Sequence, residues 1–338
     1  MPGSIDVPAR VRPQLAATVA ALKKAVSYPD EGRRVEALET HMAWVFLTEA
    51  CAYKLKKPIR TGLVDYTTIE ARRRACETEL ALNRRLAAPV YLDVVPVAVT
   101  EEGVRVGGKG PAVDWLVQMR RLPRDRMLDA CIQRDQVRMG EVRQLSDKLS
   151  AFYAQAAPLR WSPARYRGRI QANIRAKSAS LKRPRYDLDP AQVQAVAGRQ
   201  MRWIDAHRNL LGARGTHVID AHGDLRPEHV CLTDPPMIID CLEFNRSLRL
   251  LDPVSDLSFL SLECRRLGAP WIGDRLLALY RQKTGDDVDP VLIPFYESYH
   301  ALIRATITIW HLDDAAFDQP ELWRTRAEEY LRLAQQRI

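Results

Sequence analysis

Residues 221–240 read AHGDLRPEHVCLTDPPMIID, and the rest of the chain is organised around this stretch. An apolar run at 216–220 leads into its polar loop, which carries Asp224. A short strand, a proline-containing turn and a returning apolar run follow, and Asp240 comes directly after them. The pattern predicts a strand, a loop and a hairpin that place two carboxylates near one cleft. Such a pair suits metal-assisted phosphoryl transfer, in which one aspartate orients a hydroxyl group and another holds a divalent cation.

The octet 222–229, HGDLRPEH, resembles the catalytic loop of protein kinase-like phosphotransferases. It is similar to the HGD loop of aminoglycoside phosphotransferases and to the HRDLKPEN loop of protein kinases. The pattern looks closest to an uncharacterised aminoglycoside phosphotransferase-like branch, some members of which are fused to a P-loop kinase domain. The resemblance runs from about Val35 to the C-terminal helices.

This resemblance implies an α+β, two-lobed protein kinase-like fold with a small β-rich N-lobe and a larger, mostly helical C-lobe. Residues 1–30 are then an N-terminal extension with a helix and 31–122 the nucleotide-binding N-lobe. Residues 123–338 form the C-lobe, with the catalytic loop and the acceptor-binding helices. The implied activity is ATP-dependent phosphorylation of a hydroxyl group of a small molecule, with ATP or GTP and Mg²⁺ or Mn²⁺ as cofactors.

The predicted N-lobe offers a lysine for the nucleotide phosphates. Three strand-like segments occupy 35–56, and Lys54 lies in the third of them. The resemblance makes Lys54 the residue that reaches the α- and β-phosphates, because a rigid strand places its ammonium group. Lys56 and Lys57 are rival candidates, and a lysine-rich strand end is also typical of a solvated surface.

A helix is expected over 66–87, with its start near the two threonines at 67 and 68. In the family, a glutamate of this helix pairs with the strand lysine. Glu77 and Glu79 are both available, and Glu79 is preferred because it shares an inward side with Leu82 and Leu86. The alternative for either glutamate is a solvated position on an exposed face.

Two further segments bear on nucleotide binding. The turn at 40–42 has no glycine, although glycine-rich loops let backbone amides approach phosphates closely. Any contact of this turn with nucleotide phosphates is therefore expected from Thr40 or other side chains. The segment from Met119 to Arg121, followed by Pro123, resembles the hinge between lobes. Adenine is expected to bond backbone groups around Met119–Arg121.

The resemblance assigns catalytic roles within the octet. Asp224 accepts a hydrogen bond from the attacking hydroxyl group and orients it. Arg226 occupies the position of the protein kinase lysine, where it can neutralise charge on the transferred phosphoryl group. His222 is interpreted as structural, and Glu228 as a surface or capping group.

The metal ligands are less regular. His229 stands where the family usually has asparagine, so either the metal site is altered or His229 only hydrogen-bonds Asp224, since Mg²⁺ prefers oxygen ligands. Asp240 resembles the aspartate that chelates the metal between the β- and γ-phosphates. Glu243 either adds a second carboxylate or pairs with Arg246 or Arg249.

The C-terminal third contains a bracing motif and a candidate acceptor pocket. Asp252 and Asp256 match the family's D-P-x-x-D motif, and an aspartate at a helix start caps free N–H groups. In the family the helices beyond this motif shape the acceptor pocket. Four aromatic or imidazole side chains can line it or can pack in the core: Tyr296, Tyr299, His300 and Trp310.

The segment 160–185 carries nine arginines and lysines and no acidic residue, with Trp161 and Tyr166 among them. A basic stretch with aromatics can bind phosphates and stack bases, whereas a helix with a solvated arginine face is the ordinary alternative. Aminoglycosides are polycations whose sites need carboxylates. A lobe entrance this basic therefore argues against an aminoglycoside and for an acidic or neutral acceptor.

Composition sets the remaining limits. The 338 residues carry a net charge of +9, which favours anionic partners or reflects an arginine-rich surface. The six cysteines show no C-x-x-C pair and no apolar run reaches the length of a membrane span, so a cytoplasmic protein with reduced thiols is expected. Two rival functions stay open: a pseudokinase that binds nucleotide or a partner, and a phospho-ligand or RNA binder using 160–185.

Overall fold

The computed structural model describes residues 12–29, 34–313 and 319–338. The chain folds into two compact units. The first runs to Arg126 and includes Met237–Arg246, and the second comprises Met127–Pro236 and Ser247–Ile338. The predictions for 1–11, in the N-terminal extension, and for 30–33, where the N-lobe was expected to begin, lie outside the described residues.

The strands are, in chain order, β1 (Glu36–Glu39), β2 (Ala43–Leu47), β3 (Cys51–Lys56), β4 (Tyr91–Thr100), β5 (Gly103–Val106), β6 (Ala112–Arg120), β7 (Ile219–Asp220), β8 (Val230–Cys231), β9 (Met237–Ile238) and β10 (Leu250–Leu251). The α-helices are α1 (Arg12–Leu22), α2 (Ile69–Ala87), α3 (Leu128–Gln133), α4 (Met139–Gln155), α5 (Pro163–Leu181), α6 (Pro190–Ala206), α7 (Arg208–Ala213), α8 (Arg246–Arg249), α9 (Pro253–Arg266), α10 (Pro270–Thr284), α11 (Leu292–Ile309) and α12 (Pro320–Arg337). None of the helices in the described ranges combines the length and apolar character that a membrane span requires.

An antiparallel sheet forms the centre of the first unit, with strand order β1-β2-β3-β6-β4-β5. Side chains alternate across β3, so Tyr53 and Leu55 point to one face, and Lys54 and Lys56 to the other. The first face joins a core that includes Leu22 of α1, and all three of these apolar side chains are fully buried. The two lysines of the opposite face both reach Glu79 of α2.

Helix α2 packs on β4 and β6. It begins after Thr68, whose hydroxyl accepts a hydrogen bond from the Ala71 N–H at 3.1 Å, so the expected threonine start is confirmed. A buried ion pair joins the helix to β6, with Arg72 Nε 2.8 Å from Asp114 Oδ1. This pair fixes the rotation of α2 and therefore the direction in which Glu79 points.

The second unit is mostly helical, and a two-residue antiparallel ladder joins β7 to β10, with Asp220 opposite Leu250. The octet 222–229 follows β7 after one residue, Ala221. Apolar residues at helical spacing over 128–157 predict one helix there. That prediction is wrong, because the chain leaves the helical conformation after Gln133 and Asp135 takes a left-handed φ of 53°. The same spacing predicts one helix over 193–211, which the structure divides between α6 and α7.

Helix α9 is buried along nearly its whole length. Asp252 caps it by accepting the Val254 N–H at 3.1 Å, which confirms the capping role predicted for this residue. Farther along, α9 meets α10 so closely that a Cβ built on Gly273 would lie 2.5 Å from Cα of Ser261. Only glycine fits at this crossing.

Candidate active site

The predicted phosphate-binding lysine lies in the first unit with the predicted glutamate partner. Strand β3 and helix α2 bring Lys54 Nζ to 2.8 Å from Glu79 Oε1. Glu79 is fully buried, and its neighbour Glu77 instead pairs with Arg73 at the surface. The choice of Glu79 over Glu77 as the partner of the strand lysine is therefore confirmed, while the role of Lys54 toward a nucleotide stays a prediction.

Asp240 joins the same cluster, with Oδ1 2.6 Å from Lys54 Nζ and about 40% of its side chain exposed. Its backbone has a left-handed φ of 59°, a conformation that aspartate tolerates better than most residues. Two contacts hold this turn: the Asp240 N–H donates to the Tyr91 hydroxyl at 3.1 Å, and the Cys241 N–H donates to Asn83 Oδ1 at 2.8 Å. The carboxylate is thus presented by a backbone fixed at two successive residues.

A second lysine, which sequence reasoning named only as a rival, completes the cluster. Lys56 has 1% of its side chain exposed and forms ion pairs with Glu79 and with Glu243. Glu243 therefore pairs with Lys56, a partner that the sequence analysis did not name for it. The spacing of Lys54 and Lys56 could have revealed this, because residues two apart on a strand share a face.

Electrostatics couple these groups strongly. Burial alone would raise the pKa of Glu79, but Lys54 and Lys56 together lower it below its ordinary value. Burial alone would likewise lower the pKa of Lys54, but Asp240, Glu79 and Glu243 raise it well above its ordinary value. Both lysines are therefore charged, and the cluster is a network of two ammonium groups and three carboxylates that is buried except at Asp240.

The glycine-free turn between β1 and β2 is closed by Thr40. Its hydroxyl donates to the Ala43 carbonyl at 2.9 Å and accepts from the Ala43 N–H at 3.1 Å. At the predicted hinge, the Arg120 N–H donates to the Val90 carbonyl at 2.8 Å and the Arg121 N–H to the Ala50 carbonyl at 2.9 Å. These groups already have protein partners, and the adenine contacts at Met119 and Arg121 stay a prediction.

The catalytic-type loop lies in the second unit. Asp256, in the first turn of α9, accepts the backbone N–H groups of His222 and Gly223, each at 3.1 Å. Gly223 has φ of +84° and lies against Arg249, so a side chain would be strained and crowded there. Asp224 follows this braced turn and keeps a quarter of its side chain exposed. Asp252 thus caps the helix, and Asp256 fixes the loop.

Arg226 turns back to Asp224, with Nε 3.1 Å from Asp224 Oδ1. Burial acts to lower the pKa of Arg226, but the negative charge of Asp224 raises it. The guanidinium is therefore a fixed positive charge beside the predicted hydroxyl-orienting carboxylate.

His229 is held by this loop at both ring nitrogens. Arg226 Nη2 lies 3.0 Å from Nε2, and the Asp224 carbonyl lies 2.9 Å from Nδ1. A guanidinium can only donate, so Nε2 accepts and Nδ1 carries the proton that it donates to the carbonyl. This neutral tautomer has no lone pair left for a metal ion, which favours the hydrogen-bonding alternative over a metal-ligand role.

Metal binding is best matched by the carboxylates of the first unit. Over 12–29, 34–313 and 319–338, no three His, Cys, Asp or Glu side chains are arranged as a ready ligand group. Asp240 nevertheless offers partly exposed carboxylate oxygens, which are the ligands that Mg²⁺ and Mn²⁺ take. The metal roles of His229, Asp240 and Glu243 stay predictions.

The four candidate acceptor-pocket residues are mostly internal. Tyr296 donates to Asp252 at 3.0 Å, and Ser255 lies 3.0 Å from Nε2 of His300, so both belong to the core around α9. Tyr299 is also buried, whereas Trp310 is half-buried and donates to the Ser180 hydroxyl at 3.0 Å. Core packing, the alternative left open by the sequence, fits Tyr296 and His300.

Comparison with known proteins identifies the fold. No model of a known protein family matches the chain. Uncharacterised proteins of Mycobacterium tuberculosis and Mycobacterium bovis are 31% identical to it over 280 residues, which cover 81% of this chain and 54% of theirs. The chain therefore spans about half the length of the curated relatives it matches.

Among solved structures, a choline/ethanolamine kinase family protein from Mesorhizobium loti matches with a TM-score of 0.56 and 17% identity, covering 94% of each chain. A variant of aminoglycoside 2′-phosphotransferase-IIIa in its GDP complex matches with a TM-score of 0.54 and 14% identity, over 95% of this chain and 97% of that one. A glucosamine kinase bound to glucosamine, ADP and phosphate matches with a TM-score of 0.50 and 14% identity. The match covers 88% of this chain and 79% of that one. The chain has the α+β, two-lobed protein kinase-like fold, as the sequence predicted.

Proposed function

We propose that this protein is an ATP-dependent phosphotransferase that phosphorylates a hydroxyl group of a small molecule. The observation that carries the proposal is the contact of Lys54 with both Glu79 and Asp240, at 2.8 and 2.6 Å. A lysine that links a helix glutamate to a partly exposed aspartate is the arrangement that positions nucleotide phosphates in this fold. The nucleotide complexes of two solved neighbours, with GDP and with ADP, support nucleotide use.

Each residue has a defined task in this proposal. Lys54 binds the nucleotide phosphates, and Asp240, with Glu243 beside it, holds Mg²⁺ or Mn²⁺. When bound, the cation would neutralise negative charge on the phosphates. Asp224 accepts a hydrogen bond from the acceptor hydroxyl and orients it. Arg226, fixed beside Asp224, stabilises negative charge on the transferred group.

The test is nucleotide consumption with Mg²⁺ or Mn²⁺ across a panel of hydroxyl-bearing metabolites. Asp224→Asn should lower turnover about 10²-fold or more, because the isosteric amide no longer accepts the hydroxyl proton. Glu228→Gln is the matched control from the same loop and should change turnover little. Absence of both nucleotide binding and turnover with either cation would refute the proposal.

A second candidate, nucleotide binding without transfer, is favoured by one observation. The neutral tautomer of His229 has no lone pair for a metal, at the position where the family supplies an asparagine oxygen. Thermal unfolding with ATP separates the two functions. Stabilisation by ATP and a cation without product formation, lost in Asp240→Ala, would support a binding protein, and release of ADP on addition of an acceptor would support the enzyme.

A further inference from the structure

One side of α5 carries cationic and amide groups four residues apart, which places them in a line along the helix. We call this line the α5 cationic edge, and its members are Arg165, Arg169, Asn173 and Lys177. Arg165 is exposed, and the other three are half-buried beside the apolar stripe of the helix. The edge is therefore partly inside the second unit and is not a fully solvated charge run.

No carboxylate within the described ranges pairs with these cations. Arg165 and Arg169 both lie over the ring of Trp161, with guanidinium carbons 4.3 and 5.0 Å from its centroid. Lys177 Nζ lies 4.6 Å from the ring centroid of Trp310. Burial lowers the pKa of both Arg169 and Lys177, and no carboxylate contributes to raise either one. Two neighbouring guanidiniums without a counter-ion repel each other.

Other internal cations of the same unit are neutralised. Arg214 pairs with Asp252 and Asp286, each at 2.6 Å. Arg304 Nε lies 3.3 Å from Glu263 Oε1. The α5 cationic edge differs from these pairs because aromatic rings and a carbonyl take the place of carboxylates. Half-buried cations that no carboxylate neutralises are what a binding site for an anion requires.

The edge also lies beside the segment that supports the catalytic-type loop. Arg169 donates to the Ser247 carbonyl, and the next residues, Leu248 and Arg249, pack on Gly223. A Cβ built on Gly223 would be 3.4 Å from the Leu248 carbonyl oxygen. Gly223 immediately precedes Asp224, so one short segment connects Arg169 to the loop that presents the carboxylate.

The edge is also anchored to α11. Asn173 donates to the Tyr299 hydroxyl at 2.6 Å, and the Tyr299 and His300 rings lie 5.4 Å apart. The middle of the edge is therefore fixed to the helix that carries the candidate acceptor-pocket residues.

We propose that the acceptor is an anionic hydroxyl compound whose phosphate or carboxylate group is bound by the α5 cationic edge. The inference rests on the proposed phosphotransferase function and names its substrate class. In the reaction the acceptor oxygen forms a bond to the γ-phosphorus of ATP, and the bond to the β,γ-bridging oxygen breaks. ADP leaves with that electron pair, and the hydroxyl proton passes to Asp224.

Binding is tested first, without nucleotide, by thermal unfolding in inorganic phosphate and in chloride at equal ionic strength. Phosphate should raise the midpoint temperature of unfolding of the wild-type protein. Arg169→Gln combined with Lys177→Gln should reduce that rise, and Arg175→Gln, which changes an exposed arginine of the same helix, should retain it in full. An absent phosphate effect, or an equal loss in the Arg175→Gln control, would overturn the anion site.

Turnover is then compared within matched sets: glycerol, glycerate and glycerol 3-phosphate, then glucose, gluconate and glucose 6-phosphate, with choline and glucosamine as cations. The anionic members should have the higher kcat/KM. Lys177→Gln should raise their KM about tenfold with little change in kcat, because a charge-assisted contact to the substrate is lost. The same variant should leave the KM for glycerol and for glucose unchanged.

The outcomes separate the two proposals. Preference for choline, glucosamine or the neutral compounds would overturn the anionic acceptor and leave the kinase intact. Phosphate binding at the edge, with neither nucleotide binding nor turnover, would refute the kinase and with it the acceptor role of the edge. Tight, salt-sensitive binding of an RNA oligonucleotide that Arg169→Gln weakens would reassign the edge to nucleic acid and overturn the small-molecule acceptor.

Discussion

At the scale of single residues, Lys56 changes how the Lys54 cluster of the first unit is understood. The family resemblance predicts one lysine and one glutamate, and this chain buries a second lysine against Glu79 and Glu243. Lys56 gives Glu79 a second cation, so the charge of Glu79 does not depend on Lys54 alone. In the proposed function Lys54 turns toward a nucleotide, and Lys56 then keeps Glu79 from becoming an unpaired buried charge.

Lys56→Met should lower the free energy of unfolding by about 3 kcal/mol, because it leaves one oxygen of the fully buried Glu79 without its cation. The neighbouring Lys57→Met is the matched control, since Lys57 pairs with Glu39, which keeps more than a third of its side chain exposed. That control should lose no more than about 1 kcal/mol. Urea unfolding of both variants measures the difference, and equal losses would contradict the assigned role of Lys56.

His300 predicts a defined pH dependence of stability. Burial lowers the pKa of His300 to about 4, against about 6.5 in an unfolded chain. Between these two values the unfolded chain binds a proton that the folded protein does not. Stability is therefore full above about pH 6.5 and is lost as the pH falls toward about 4, by about 3 kcal/mol for this group.

Urea unfolding across that pH range, compared between wild type and His300→Phe, isolates this contribution. The variant keeps a ring to stack on Phe259, whose centroid lies 4.8 Å away, but it has no proton to bind. Its stability should fall less steeply with acid than that of the wild type. Parallel pH curves for the two proteins would show that His300 does not titrate in this way.

At the scale of elements, the start of α9 joins helix capping to loop geometry. Asp252 caps the helix and holds Arg214, and Asp256, one turn later, accepts two backbone N–H groups of the loop. Tyr153 of α4 donates to the same Asp256 carboxylate at 3.0 Å. The position of the predicted hydroxyl-orienting residue therefore depends on where this helix begins.

Asp256→Asn should weaken both the fold and the activity. The amide group of asparagine would face N–H donors, so at least one of them loses its acceptor, at about 2 kcal/mol. We also expect turnover to fall at least about tenfold, because the loop before Asp224 is no longer fixed. Asp274→Asn, on the exposed side of α10, is the control and should leave stability and turnover nearly unchanged.

The sequence was most informative where a pattern is local. The threonine start of α2 and the strand that carries Lys54 were predicted correctly, because each depends on neighbours along the chain. The break after Gln133 was missed, since helical spacing continues on both sides of it. The role of Lys56 was also missed, because its partners Glu79 and Glu243 are distant in sequence. The hydrogen bonds at both ring nitrogens of His229 were missed too, because one of them is to a backbone carbonyl.

At the scale of the whole molecule, the thiols give a simple measure of folding. Five of the six cysteines are buried, and Cys51 alone is partly accessible. Burial raises the pKa of Cys76 to about 12, so its thiolate fraction is negligible near neutral pH. In the native protein, only Cys51 of β3 is thus expected to react readily with thiol reagents.

A disulfide-exchange reagent should modify one thiol quickly in the native protein and all six in concentrated guanidinium chloride. Cys51→Ser should remove the fast reaction and leave the rest of the time course unchanged. Rapid modification of several thiols under native conditions would show that buried segments open far more readily than this packing allows.

The contact between Gly273 and Ser261 limits how the sequence of this fold can drift. Any side chain at 273 must push α9 away from α10, and α9 carries the aspartates that position the loop containing Asp224. A methyl group at this crossing would in this way lower the proposed activity through the position of Asp224. Gly273→Ala should impair the protein. Ser261→Gly should restore it only in small part, because it removes the Cβ and Oγ that would meet the new methyl group but leaves Cα 2.5 Å from it. The bond from Ser261 to Glu297 is then also lost.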